Sequence, residues 1–160
     1  MKRLIKLTPK PARQRARGAA AVELALTMVP LLVLTFGVTE YGRAIYTYNA
    51  IDKAARDAAR YLTAPPPGIS NPNAAASNLV VYGNVEGTGA KLAPGLETSM
   101  VNICNAASCP GSHASVATGS GVVNLVTVSI NGYVYTSIVT YVAPATMNFN
   151  NISVTMRSNL

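Results

Sequence analysis

Few side chains in this chain of 160 residues can do chemistry: six Asp or Glu, one His and two Cys. Three of them lie close together in a Gly- and Ser-containing stretch, Cys104, Cys109 and His113. Two cysteines with four residues between them can close a small disulfide loop, which adds about 2 kcal/mol in the chain-entropy account when the compartment is oxidising. The alternative is a metal held by both thiolates and the imidazole. A structural zinc takes four ligands and no fourth is evident here, so a solvated histidine is the simpler reading. Nucleophilic catalysis is weaker again. A Cys or Ser nucleophile needs a base, His113 would have to supply it, and no carboxylate stands near it in sequence to orient the ring. Beyond the helical region the only carboxylates are Glu86 and Glu97, too few to argue a general acid and base. The loop from Gly83 to Gly95 contains Gly87 and Gly89 but no Lys-Ser/Thr and no following helix, so it does not read as a phosphate cradle. The chain is expected not to be an enzyme and to hold no metal, cofactor or small-molecule substrate.

Glu23 is the acidic residue out of keeping with its surroundings. Lys2, Arg3, Lys6, Lys10, Arg13, Arg15 and Arg17 precede it without any acid among them, and Leu24 to Val38 then runs without a charge. A short basic head before an apolar run marks a chain handed to the membrane with its head in the cytoplasm. Three fates fit the run. A secretory signal would be cut after it, near Thr35 and Gly37, releasing a soluble hydrolase or other domain from Val38. A plain anchor would stay uncut, giving a single-span envelope protein whose outer domain binds another envelope component. In the third, the cut falls before the run, after Gly18. A carboxylate in an apolar span costs about 2.5–3.5 kcal/mol at the bilayer centre and less near its edge, so the first two fates have no use for Glu23. The third does. Cutting after Gly18 frees an amine on Ala19 with a pKa of roughly 8, one helical turn from Glu23, and the two charges can neutralise each other within a chain or between neighbours.

Gly18, then Ala-Ala-Ala-Val, then Glu23 as the fifth residue of the cut chain resembles the processing site of type IV pilin-like proteins. The longer string is more specific. Val22-Glu23, Pro30-Leu31-Leu32, Glu40-Tyr41-Gly42-Arg43, Ala54-Ala55-Arg56 and Ala58-Ala59-Arg60-Tyr61 resemble the N-terminal region of TadE-like proteins, minor pseudopilins of the tight-adherence (Tad) pilus. The likeness covers about a third of the chain and departs at Leu24, where that family often has an aromatic residue. It implies cleavage after Gly18 by a prepilin peptidase and a part in assembling a Tad pilus used for surface adherence. The implied partners are that peptidase, other pilins and pseudopilins, the inner-membrane assembly platform and membrane lipid. The implied place is the bacterial inner membrane with the N-terminus cytoplasmic and the C-terminal domain periplasmic, and the pilus itself after assembly.

The elements that must position these residues follow the chain. A formal net charge of +7 invites a nucleic-acid partner, but seven of the thirteen Lys and Arg precede Gly18 and the remainder balance the six acids. The charge is a topogenic leader, residues 1–18, and no nucleic-acid partner is expected. Residues 19–39 are long enough to cross a bilayer of about 30 Å. Pro30 stands in the middle of that span, where it removes one hydrogen bond and favours a kink. Residues 40–63 continue it as an amphipathic helix. Tyr41, Ile45, Tyr48, Ile51, Ala55, Ala58, Ala59 and Leu62 recur at three and four, with Arg43, Asp52, Lys53, Arg56, Asp57 and Arg60 on the other side. From Ala19 to Leu62 such a helix would be about 66 Å long.

Pro65-Pro66-Pro67-Gly68 ends it. Residues 64–160 read as a small β-rich extracytoplasmic domain. A short helix is expected over Asn73–Leu79, a turn or strand over Leu79–Gly83, and strands over Met100–Cys104, Val122–Ile130 and Asn151–Arg157. Asn131-Gly132 reads as a hairpin turn bringing Tyr133 and Tyr135 onto the face of Val128 and Ile130, or as a bulge in one long strand, with Thr136–Val142 prolonging the strand. One long helix, half transmembrane and half amphipathic, followed by three to five mostly antiparallel strands gives an α+β fold of pilin-like outline.

Overall fold

The computed structural model of the chain describes residues 13–119 and 121–158; positions 1–12 of the expected basic leader lie outside them. The chain forms two compact units, Met1–Thr39 and Glu40–Leu160. Helix α1, Arg13–Thr63, contributes to both.

In the first unit every side chain from Gly18 to Phe36 is exposed, including Leu24, Leu26, Leu31 and Leu34. The helix is long and apolar enough to cross a bilayer, a test that a signal segment also meets. Its hydroxyls are suited to an apolar medium. Thr27 Oγ1 donates to the Glu23 and Leu24 carbonyls at 3.1 and 3.0 Å, Thr35 Oγ1 to Leu31 at 2.8 Å, and Thr39 Oγ1 to Thr35 at 2.8 Å. None of these donors is left unpaired where water is absent. Pro30 lies inside α1 without ending it.

In the second unit the α1 segment packs on strands through Glu40, Ala44, Thr47, Ile51, Ala54, Ala55, Ala58, Ala59 and Leu62, all buried. From Ile51 onward this is the expected apolar stripe. Before it the face is turned by one residue: Tyr41 and Ile45 are 51% and 61% exposed, and the smaller Ala44 and Thr47 take the inward positions. Small side chains let the helix backbone approach the strands closely, and the buried Glu40 carboxylate is tolerated there because its Oε1 accepts hydrogen bonds from Tyr135, Ile138 and Arg43.

Helix α2, Pro72–Tyr82, replaces the expected short helix and the turn or strand over Leu79–Gly83. Asn71 caps it, its Oδ1 accepting from the Ala74 N–H at 3.1 Å, and Pro72 suits the first turn where no N–H is needed. Ala75, Ala76, Val80 and Val81 then share one buried face. Gly83 ends the helix at φ 75°, donating its N–H to the Leu79 carbonyl.

The main sheet is antiparallel and built on β3, Gly121–Ile130. Strands β1 (Val101–Cys104), β2 (Val116–Thr118) and β6 (Ile152–Ser158) all pair with it. Val128 stands opposite Ile103 and Val154, and Ile130 opposite Val101 and Ile152, so one face of β3 forms a continuous apolar row. A four-residue helix, α3, Pro110–His113, lies between β1 and β2. Strands β4 (Val134–Thr136) and β5 (Thr146–Asn148) form a separate antiparallel pair. Asn131-Gly132 is therefore neither a hairpin joining β3 to β4 nor a bulge in one strand. Gly132 turns the chain at φ 73° into the second pair, although Tyr133 and Tyr135 do join Val128 and Ile130 in the core. The strand ends at Thr136 and is not prolonged to Val142: the Ile138 N–H is bonded to the Glu40 carboxylate on α1 and not to a neighbouring strand. Among the described residues six strands form, against the three to five expected, within the α+β outline.

Candidate functional site

Gly18, Ala19 and Glu23 lie on consecutive turns of α1, all exposed. A Cβ added at Gly18 would meet nothing within 4 Å. Packing inside this chain therefore does not require glycine there, and any requirement for it must come from another molecule. The Glu23 carboxylate has no hydrogen bond or ion pair among the described residues, while its neighbours Leu24 and Leu26 are 66% and 72% exposed.

A second cluster, at the first turn of the second unit, brings together residues far apart in sequence. Glu40 Oε1 accepts from the Tyr135 hydroxyl at 2.8 Å, from the Ile138 N–H at 3.1 Å and from Arg43 Nη2 at 3.2 Å. Arg43 Nη2 also donates to the Thr136 carbonyl at 2.9 Å and Nε to the Tyr135 hydroxyl at 2.6 Å, with the guanidinium 5.1 Å from the Tyr135 ring centroid. Phe149 stacks on the other residues of this wall, nearly parallel to Tyr135 at 5.9 Å and edge-on to Tyr48 at 5.4 Å. Burial would raise the Glu40 carboxyl, but the bonds from Tyr135 and Ile138 and the Arg43 charge outweigh it and hold it below its ordinary value. Burial, then the bond to Glu40, pushes the Tyr135 phenol up. The arrangement is a latch: the Tyr135 hydroxyl, the Ile138 N–H and the Arg43 guanidinium together fix β4 and its following loop to α1. Glu40 and Arg43 stand out in the sequence as a charged pair on a helix, but nothing local identifies Tyr135 as their partner.

Cys104 and Cys109 are joined in a disulfide with Cα atoms 5.5 Å apart. His113 lies beside them, its ligand atom within 4.8 Å of both sulfurs, yet the sulfurs are bonded to each other and offer no thiolate. Its ring nitrogens face hydroxyls, Nδ1 2.7 Å from Ser112 Oγ and Nε2 2.8 Å from Thr127 Oγ1, which is 2.8 Å from Thr155 Oγ1. This chain of hydroxyls ties the disulfide loop to β3 and β6, where a solvated histidine was expected.

Residues 18–60 match the family model for TadE-like proteins. The matched stretch runs from Gly18 through Glu23 to both α1 members of the latch, and leaves Tyr135 and the disulfide outside it. Comparison with curated proteins and comparison with solved structures each found no match.

Proposed function

From a TadE-like stretch over residues 18–60, we propose that this chain is a non-enzymatic minor pilin of a Tad pilus system. In this reading residues 1–18 are a cytoplasmic leader removed by prepilin peptidase after Gly18. Residues 19–39 then span the inner membrane with Ala19 as the new N-terminus. Residues 40–63 carry the span's helix into the outer unit, and the β-rich remainder is extracytoplasmic, consistent with the Cys104–Cys109 disulfide. Its partners are the peptidase, other pilins and pseudopilins, the inner-membrane assembly platform and lipid.

The observation that carries this reading is the family match over residues 18–60, which begins at Gly18 and takes in the stretch Gly18 to Phe36, where every described side chain of α1 is exposed. The open space around Gly18 adds to it, since a protease gripping the backbone is a reason for glycine that the chain itself does not supply.

The N-terminal residue of the protein purified from membranes tests the reading. Ala19 is expected. Met1 would favour the uncut single-span envelope protein, and Val38 a domain released after the apolar run. Gly18→Val should leave the fold intact and abolish the cut, because a branched side chain does not enter a pocket shaped for glycine; loss of the same leader from the variant would show the site to be wrong.

A further inference from the structure

Between Glu97 and Arg157 the chain has no Asp, Glu, Lys or Arg. The loop Ser137–Ala145, which joins β4 to β5, lies in that stretch. It is closed by the Ser137 N–H to the Ala145 carbonyl at 3.0 Å and turned by the Val142 and Ala143 N–H groups to the Val139 carbonyl at 3.2 Å. Ser137 and Ala143 point inward and are buried. Ile138 and Tyr141 point out, 73% and 97% exposed. A tyrosine so far open adds nothing to its own core, and a large aliphatic side chain beside it on a defined loop marks an apolar surface meant for something else.

The position of the loop says what that is. Ile138 donates its N–H to Glu40 Oε1 at 3.1 Å, and Arg43 holds the preceding carbonyl at 2.9 Å. The loop is thus pinned to the first turn of the outer unit. Glu40 is covalently next to Thr39, the last residue of the apolar segment, so the chain itself keeps Ile138 beside the point where that segment ends. Tyr41, half exposed, stands on the same turn.

We propose that this loop is a membrane foot: Ile138 and Tyr141, with Tyr41, enter the headgroup layer of the bilayer that residues 19–39 cross. The inference rests on the reading of residues 19–39 as a span. Tyrosine suits the interface because its ring is apolar and its hydroxyl remains hydrated, and the absence of charge removes the desolvation cost that a Lys, Asp or Glu in the loop would carry. The Glu40 latch then has a purpose beyond stability, since it ties the loop to the residues that directly follow Thr39 in the chain.

The chain contains no tryptophan, so an introduced one is a unique reporter. The full chain carrying Tyr141→Trp is reconstituted into phosphatidylcholine and phosphatidylglycerol vesicles containing lipids brominated either high or low on the acyl chain. Phe36→Trp reports on the span, and Ile69→Trp, beyond the far end of α1, on water. Tyr141→Trp should emit to the blue of Ile69→Trp and lose about half its emission to shallow bromines, as an interfacial aromatic does. Phe36→Trp should respond to deep bromines. If Phe36→Trp is quenched while Tyr141→Trp and Ile138→Trp both behave like Ile69→Trp, the foot is overturned and the span stands. If Phe36→Trp itself is unquenched, the span reading fails and takes the foot with it.

Discussion

The Tyr135 hydroxyl donates to Glu40 Oε1 at 2.8 Å across 95 residues of sequence. One side chain of α1 thereby holds strand β4 and, through the Ile138 N–H on the same oxygen, the loop that follows. Tyr135→Phe keeps the ring against Phe149 and under Arg43 but removes the hydroxyl that serves both charged groups. Bonds to charged partners contribute about 1.5–3 kcal/mol each, so the full chain in detergent should lose stability of that order, read as a lower unfolding midpoint. Glu40→Gln in the Tyr135→Phe background should then cost less than it does alone, because the two residues share one bond. Strict additivity would show that the bond contributes nothing.

The same cluster predicts a stability profile closed at both ends of the pH scale. The Glu40 carboxyl sits below its ordinary value of 4.5 in the folded chain. Its stabilising contribution is complete above about pH 4.5 and is lost as pH falls from there through the lowered folded value. The phenols of Tyr135 and Tyr133, both raised above 10.0 with burial as the main cause, act in the other direction. Their contribution is complete below pH 10 and is lost as pH rises through the raised values. Melting temperature should be nearly flat between these limits. Glu40→Gln should make the acid limb shallower and Tyr135→Phe the alkaline limb, and an acid limb untouched by Glu40→Gln would dissociate it from this carboxylate.

What was legible in the sequence and what was not divide along the reach of the interactions. The long helix, Arg13–Thr63, its stop at Pro65-Pro66-Pro67, the disulfide of Cys104 and Cys109 and the alternating face Val126, Val128 and Ile130 all follow from neighbours within a few residues. Leu79–Gly83 misled because Val80 and Val81 are β-branched, while the burial that keeps them helical comes from packing. The inward face of α1 near Tyr41 misled for a related reason. Periodicity favours Tyr41 and Ile45, whereas the packed face holds Glu40, whose burial depends on Tyr135 and Ile138 nearly a hundred residues away. Strands β2 and β5 have three residues each, too short for alternation to register.

Gly42 lies inside α1, exposed, and a Cβ there would meet nothing within 4 Å. A glycine in a helix interior costs about 0.5–1 kcal/mol relative to alanine. Gly42→Ala should therefore raise the stability of the isolated chain by that amount, measured by chemical denaturation in detergent. Scoring surface-pilus yield in the same strain separates two uses of the residue. A more stable chain that no longer assembles would place a close-packed neighbour against Gly42, and an unchanged yield would leave the glycine without a role in packing.

The disulfide predicts both a labelling result and a stability loss. A thiol reagent applied to unfolded, unreduced protein should label neither Cys104 nor Cys109, and both after reduction. Replacing the pair with serine should cost about 2 kcal/mol, the chain-entropy value for so short a loop. His113 would still be bonded to Thr127, so the loop should stay docked on β3 and the loss should not grow beyond this. Labelling of both cysteines before reduction would refute the bond and weaken the extracytoplasmic placement of the domain.

Glu23 offers a direct test of the proposed part in pilus assembly. Its carboxylate is exposed on α1 between Val22 and Leu24, without an ion-pair partner among the described residues. In an apolar medium an unpaired carboxylate is costly, so the proposal requires a cation to arrive, and the Ala19 amine created by cleavage after Gly18 is that cation, in the same chain or a neighbouring one. Glu23→Gln leaves the scissile bond five residues away and the leader charge unchanged, so cleavage should proceed as in wild type. The variant should also insert normally, since a neutral amide is easier to place in a bilayer than a carboxylate. Packing is where it should fail, because the ammonium then lacks its partner. The expected result is mature protein retained in the inner membrane, loss of co-purification with the major pilin, and reduced surface attachment. Normal piliation and adherence with the Gln variant as the sole copy would remove the electrostatic argument for a pilin.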